Sequence, residues 1–301
     1  MAVGKVLINV LKRYNTRQDK KRRKSKPVSN RFIKREDIAY MNDDNYFHKF
    51  DIIYANDENK KNICVIDIHG GSYVFGDRKN NHFFGEFFNE AGFDFISLDY
   101  VVNDGKRGFE HMLSDCTAAL KYIVSNKEKL GLENDKLVLT GDSAGGHLVL
   151  MLTLLHDSEL VRNKLGLDLG ELKLYSTLAN CPVYDFSDTI DSELLNNSGR
   201  KRMFGPNAMD MDYRAKYSPK TYFKEFKTPL FLSTCTNDFL RENAIALVND
   251  LESAGNHNFE FIDYESSDKA VAHVHNVLFP ERDDGKFVND KMIEFILKNT
   301  K

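Results

Sequence analysis

The chain reads as an α/β protein with a mostly parallel central sheet, helices on both faces and a cap. Three observations predict this. From about residue 50 onward, short β-rich apolar runs alternate with helical segments. One of those runs, Lys136-Leu137-Val138-Leu139-Thr140, leads directly into Gly141-Asp142-Ser143-Ala144-Gly145 and then a helical pattern, the signature of a serine on a sharp strand-to-helix turn. With 301 residues, 42% of them hydrophobic, the chain is long enough to bury one large core.

The elements follow in order, with residues 1–49 as an N-terminal unit and 50–301 as the main domain. Val3, Val6, Leu7, Val10 and Leu11 keep the i, i+3, i+4, i+7, i+8 spacing of one helical face, which has to be buried. Capping the mouth of a site is the favoured use of that face, ahead of lying on a membrane or mediating dimerisation. Residues 12–35 carry twelve Lys/Arg against one acid, Asp19, on a chain whose net charge is −3. A basic leader on an acidic body suits an anionic membrane surface, nucleic acid or the protein's own acidic face, although no specific nucleic-acid partner is expected. The alternative is a solvated, partly disordered arm.

Strands are expected at Ile63–Ile68, Phe93–Leu98, Lys136–Thr140, Leu230–Thr234 and Phe259–Tyr264. Leu113, Cys116, Leu120, Ile123 and Val124 share one face of a helix over 110–124, as do Leu148, Met151 and Leu155 after Ser143. Gly145 and Gly146 let the second helix approach the sheet closely. Residues 183–227 break the rhythm as a lid-like insertion or an ordinary helical excursion. Phe83, Phe84, Phe87 and Phe88 fall at helical spacings and serve either an acyl pocket or the core. Cys64, Cys116, Cys181 and Cys235 are far apart beside apolar runs and read as reduced core residues. No apolar run approaches a membrane span and no secretory leader is evident, so the expected location is the cytoplasm.

The serine turn needs partners to do chemistry. Ser143 is the candidate nucleophile, and an alcohol attacking an ester needs a base to take its proton. Of nine histidines, His273 lies in a loop-like stretch after the last expected strand, with His275 its close competitor. Asp238, just past the run ending at Thr234, is placed to hold the imidazole tautomer and stabilise its charged form. The backbone N–H groups of Gly70, Gly71 and Ala144 are the candidate oxyanion donors, since glycine lets the backbone approach a substrate. His69 is expected to shape the oxyanion loop and His147 to be structural. A metal at His273-x-His275 lacks the carboxylates or the HExxH pattern that would accompany it, so no metal and no cofactor is expected.

His69-Gly70-Gly71, Gly141-Asp142-Ser143-Ala144-Gly145-Gly146, Asp238 and His273 together resemble the hormone-sensitive-lipase-like family of α/β-hydrolases, particularly its bacterial acetyl-esterase-type members. The resemblance covers about residues 50–300. It implies the α/β-hydrolase fold, an eight-stranded core, a cap built partly from N-terminal helices, and hydrolysis of short acyl esters through an acyl-enzyme without a cofactor. The chain departs from the family's pattern at Ser72, where a third glycine is common, and at Asp99-Tyr100-Val101-Val102-Asn103-Asp104, where the family has Asp-Tyr-Arg-Leu-Ala-Pro. An amide or formamide hydrolase on the same fold, and a non-catalytic ligand-binding protein, are the alternative readings.

Overall fold

All five apolar runs that the sequence marks as strands are strands, and three more join them. The computed structural model describes residues 3–25, 29–132, 136–187 and 196–301. Its strands are β1 (Lys34–Ala39), β2 (Lys49–Ile53), β3 (Ile63–Ile68), β4 (Asp94–Leu98), β5 (Lys136–Asp142), β6 (Leu174–Asn180), β7 (Leu230–Cys235) and β8 (Phe259–Tyr264). They form one sheet in the order β1-β2-β4-β3-β5-β6-β7-β8. The β1/β2 and β2/β4 pairs are antiparallel and the rest are parallel, with Ile68 opposite Gly141 and Asp142 opposite Asn180. Strands β3, β4 and β7 are buried from end to end. That is why they read as continuous apolar runs: helices cover both faces of a parallel sheet.

The first six helices are α1 (Val3–Ser25), α2 (His82–Glu90), α3 (Phe109–Ser125), α4 (Lys127–Leu130), α5 (Ala144–Asp157) and α6 (Glu159–Leu165). Helix α5 is apolar nearly all round and buried from Ala144 to Leu155, packed against β5 and β6. Gly145 permits that approach, because a Cβ there would overlap the carbonyl of Ile68 at the end of β3. One core lies between the sheet and α3 and α5, and a second packs Phe84, Phe88, Phe93 and Phe95 with Met292 and Phe295 of helix Asp283–Asn299. Phe84 and Phe88 are thus core residues. The four cysteines are free thiols, all buried. Among the described residues no helix is long and apolar enough to cross a membrane.

The basic leader differs from a solvated arm along its described length. Helix α1 runs through it to Ser25, and Lys34 and Arg35 begin β1. Arg22 donates to the carbonyl of Asn80 at 3.1 Å and Arg23 to Asp77 at 2.8 Å, while Asn80 donates to Asp19 at 3.1 Å. The expected boundary at 49/50 therefore moves: the sheet begins at residue 34, and the charged edge strand β1 resists pairing with another chain. Helix α1 also packs against helix Asn197–Phe204, which belongs to the 183–227 insertion. Residues 188–195 of that insertion, and the side chains of Val3, Val6, Leu7 and Leu11, lie outside the described residues. Val10, expected on the buried face, is exposed.

Candidate active site

The turn after β5 places Ser143 at the C-terminal edge of the sheet with φ 54° and ψ −114°, a strained conformation for a residue bearing a Cβ. The strain is held by backbone bonds on either side. Ser143 N–H donates to Asn180 O at the end of β6 at 2.9 Å, and its carbonyl accepts from His147 N–H at 3.1 Å. Six described non-glycine residues have positive φ, and five of them, Ser72, Tyr73, Ser143, Cys181 and Val274, sit on the loops around this edge. Strain concentrated in one place marks a site whose geometry is fixed by its surroundings.

Asp238 and His273 come together across β7 and β8. A parallel backbone bridge between Asn237 and Ala272 sets the two following residues side by side. His273 Nδ1 then lies 2.6 Å from Asp238 Oδ1, which also accepts from Leu240 N–H at 2.9 Å. Thr234 donates its hydroxyl to the other carboxylate oxygen at 2.7 Å. Burial alone would raise the Asp238 pKa, but these bonds and the facing imidazole bring it below the ordinary carboxylate value. An ionised Asp238 fixes the proton on Nδ1 and leaves the Nε2 lone pair to accept one. Nε2 has no hydrogen-bond partner among the described residues.

Ser143 and His273 are brought to the same end of β6 but are not joined by a hydrogen bond. Asn180 holds Ser143, and the next residue, Cys181, accepts from Val274 N–H at 3.3 Å. His275 points elsewhere, its ring 5.5 Å from that of Tyr264, and burial lowers its pKa. Phe239, which the sequence did not single out, covers the His273 ring at 4.2 Å while remaining 76% exposed.

The oxyanion loop requires one correction. Gly70 does not offer its amide to the cleft, because that N–H donates to Asp142 Oδ1 at 3.0 Å. The same carboxylate oxygen accepts from Asn81 Nδ2 at 2.8 Å, and Asn81 also reaches Asp67 at 3.1 Å. Asp142 therefore ties the His69-Gly70-Gly71 loop to the serine turn, a role that its place in the Gly-Asp-Ser motif does not announce. Burial, reinforced by the charge of Asp142, raises the Asp67 pKa. Gly71 and Ala144 are the expected donors left, the latter as the first residue of α5, whose N–H has no intrahelical acceptor. Gly71 has φ 125°, and a Cβ there would overlap the carbonyl of Phe75.

Two histidines brace this loop. His147 Nδ1 accepts from the Tyr73 hydroxyl and Nε2–H donates to Tyr217 O, each at 2.7 Å, and burial lowers its pKa to about 3, so it is a neutral strut. His69 stacks on Tyr100, with Nδ1 2.7 Å from Gly70 O and Nε2 3.3 Å from Asp99. Burial opposes its charge, but Asp99 and the Gly70 carbonyl outweigh it and raise the pKa to about 9, from 6.5. A folded-state pKa above the unfolded one means stability fully present below pH 6.5 and lost as pH rises through about 9. Denaturant midpoints are expected to fall between pH 6.5 and pH 9.5, and to fall less in His69→Gln; equal slopes in both proteins would contradict this.

Two clusters hold enough donor atoms to resemble metal sites. Cys181, Asp238 and His273 have ligand atoms within 4.8 Å of one another, as do Glu36, Asp51 and His82. In the first, Asp238 and His273 already satisfy each other, and burial raises the Cys181 thiol pKa and so disfavours the thiolate. In the second, the buried guanidinium of Arg78 donates to Asp51 at 2.9 Å and supplies the cation.

A serine on a strained turn after β5, an acid after β7 and a histidine after β8, on this strand order, define an α/β-hydrolase. Residues 50–246 match the BD-FAE family. The chain belongs to that family and is an α/β-hydrolase of the hormone-sensitive-lipase-like esterase type. It is 28% identical to the arylesterase of Saccharolobus solfataricus over 181 residues, 59% of this chain and 53% of that protein. It is 31% identical to the hormone-sensitive lipase of Mus musculus over 91 residues, 30% of this chain and 12% of that protein. The chain thus spans about half, or far less, of the length of these curated relatives. Esterase B from Lactobacillus rhamnosis, solved as an inhibited complex, superposes with a TM-score of 0.86 over 99% of this chain and 97% of that one, at 18% identity. At that identity the likeness is one of fold.

Proposed function

We propose that the protein is a serine carboxylic-ester hydrolase acting on short-chain acyl esters through an acyl-enzyme. Ser143 attacks the ester carbonyl, and His273 Nε2 takes its proton as the two approach on substrate binding, a contact that is often long without substrate. Asp238 keeps the imidazole oriented and stabilises the imidazolium. The amides of Gly71 and Ala144 stabilise the tetrahedral oxyanion. The alkoxide leaves with the proton from His273, and water activated by the same ring releases the acid. The observation that carries this reading is the part-buried Asp238–His273 pair, whose neighbour Val274 is tied through Cys181 to the end of β6 that also holds Ser143.

Short acyl groups are favoured by the family resemblance and by esterase B, which has been captured with a tributyrin phosphonate. The test is a series of 4-nitrophenyl esters from acetate to palmitate. Turnover is expected to peak at short chains; a peak at palmitate would remove the chain-length assignment, and no turnover of any ester would remove the esterase assignment. Helix α1 and the 183–227 insertion, in contact with each other, are assigned to the cap. The exposed Val10 and Tyr14, beside Arg13 and Arg17, make α1 the face for an anionic membrane surface. Co-sedimentation with phosphatidylserine vesicles tests this, and equal partitioning onto neutral vesicles would count against it.

A further inference from the structure

A cavity of about 670 Å³ lies between α1 and the segment that follows the oxyanion loop. Phe75 and Gly76 form part of its wall, and Gly76 backs directly onto Gly70 and His69, since a Cβ there would touch Gly70 O and His69 Nδ1. Leu278, from the short helix His275–Leu278 that begins two residues after His273, closes another side. Ser143 and His273 are not in its wall; the cavity borders the site through Gly76, which packs on the His69-Gly70 loop, and through Leu278. The cavity therefore adjoins the oxyanion loop beside the reacting centre.

Its charge is one-sided. Lys12, Lys20, Arg22, Arg23 and Lys79 face Asp19 and Asp77. Arg23 is paired with Asp77, and Arg22 with Asp19 at 3.5 Å and with the Asn80 carbonyl. Lys79 reaches Glu36 only at 3.8 Å. Among the described residues no acid pairs with Lys12 or Lys20. Lys12 is half-buried, and burial together with the neighbouring Arg202 lowers its pKa against the weaker opposing charge of Asp104. Asp19 is already engaged by Arg22 and by the Asn80 side-chain amide, and burial raises its pKa. A half-buried ammonium next to apolar walls of Phe75, Phe83, Val102 and Leu278 is stabilised by an anion, not by more protein cations.

We infer that this cavity holds a carboxylate on the substrate, so that the ester cleaved at Ser143 is a small anionic one; this rests on the ester-hydrolase reading above. A carboxylate fits better than a phosphate dianion because both arginine forks are already engaged by protein acceptors. The lysines that are left are point charges suited to a single negative group. Lys12 is the specificity-determining residue.

The test uses the Ser143→Ala full-length chain, which leaves the ester intact, and calorimetric binding of 4-acetoxybenzoate against the neutral 4-acetoxybenzamide. The acid is expected to bind about tenfold more tightly at low salt, the preference shrinking as salt is added. Adding Lys12→Gln removes most of the preference, whereas Lys12→Arg keeps it. Equal affinity for the two compounds, or a preference that survives Lys12→Gln, would overturn the inference. Hydrolysis of 4-nitrophenyl butyrate by the unmodified protein is measured alongside. A protein that keeps the preference but cleaves no ester would overturn the esterase reading and leave the anion site standing.

Discussion

Replacing Ser143 with alanine is expected to lower kcat on a short 4-nitrophenyl ester by about a millionfold, the scale seen when a serine nucleophile acting in concert with its base is removed. Residual turnover of about a thousandfold over water would come from the oxyanion donors and binding alone. The fold should survive. Ser143 contributes its backbone, not its side chain, to the bonds that hold the turn, through Asn180 O and His147 N–H. Alanine at φ 54° carries the same Cβ strain as serine, so thermal stability is expected to change little. Activity within tenfold of the original, measured on protein of unchanged Tm, would place the nucleophile elsewhere.

The second large effect is at Asp238. Asp238→Asn preserves volume, and the surrounding donors dictate how the amide sits. Leu240 N–H and His273 both address Oδ1, so the amide oxygen belongs there and its NH₂ faces the Thr234 hydroxyl, which rotates to accept. Geometry is largely kept but the negative charge is lost. The imidazolium formed as Ser143 gives up its proton then has no counter-charge. The loss expected is about a thousand- to ten-thousandfold in kcat at neutral pH, with KM little changed. A loss under tenfold would mean that Asp238 only caps the turn after β7, as a lone aspartate past a strand often does.

The resemblance to the hormone-sensitive-lipase-like hydrolases was legible because its residues sit at turns whose chemistry is local. Gly141-Asp142-Ser143-Ala144-Gly145 shapes its own bend, and Asp238 follows its strand directly. Three strands were not legible, for physical reasons. Strand β1, Lys-Arg-Glu-Asp-Ile-Ala, is a solvated edge without apolar alternation. Strand β2 is only five residues long with Lys49 and Asp51 in it, and β6 carries Ser176 and Thr177 buried in the sheet. The assignment of Gly70 as an oxyanion donor went wrong through a contact no spacing reveals, since Asp142 takes its N–H from 72 residues away.

The basic leader admits both a docked element and a solvated arm on sequence alone. Composition distinguishes a charged helix from a charged coil poorly, and what settles it here is docking of Arg22 and Arg23 onto the carbonyl of Asn80 and the carboxylate of Asp77. That docking has a physical reach. Asn81 follows directly, and it holds the Asp142 carboxylate that fixes the oxyanion loop. The N-terminal helix and the loop beside Ser143 are thus connected through five consecutive polar residues, Asp77 to Asn81.

The central claim is that Ser143 is a nucleophile activated by His273. A fluorophosphonate probe reports this directly, because it forms a covalent bond only with an activated oxygen. Incubation of the unmodified protein followed by peptide mass spectrometry is expected to give one adduct, on Ser143, absent in Ser143→Ala and formed far more slowly in His273→Ala. An unlabelled protein, an adduct on a different residue, or undiminished labelling in His273→Ala would contradict the account.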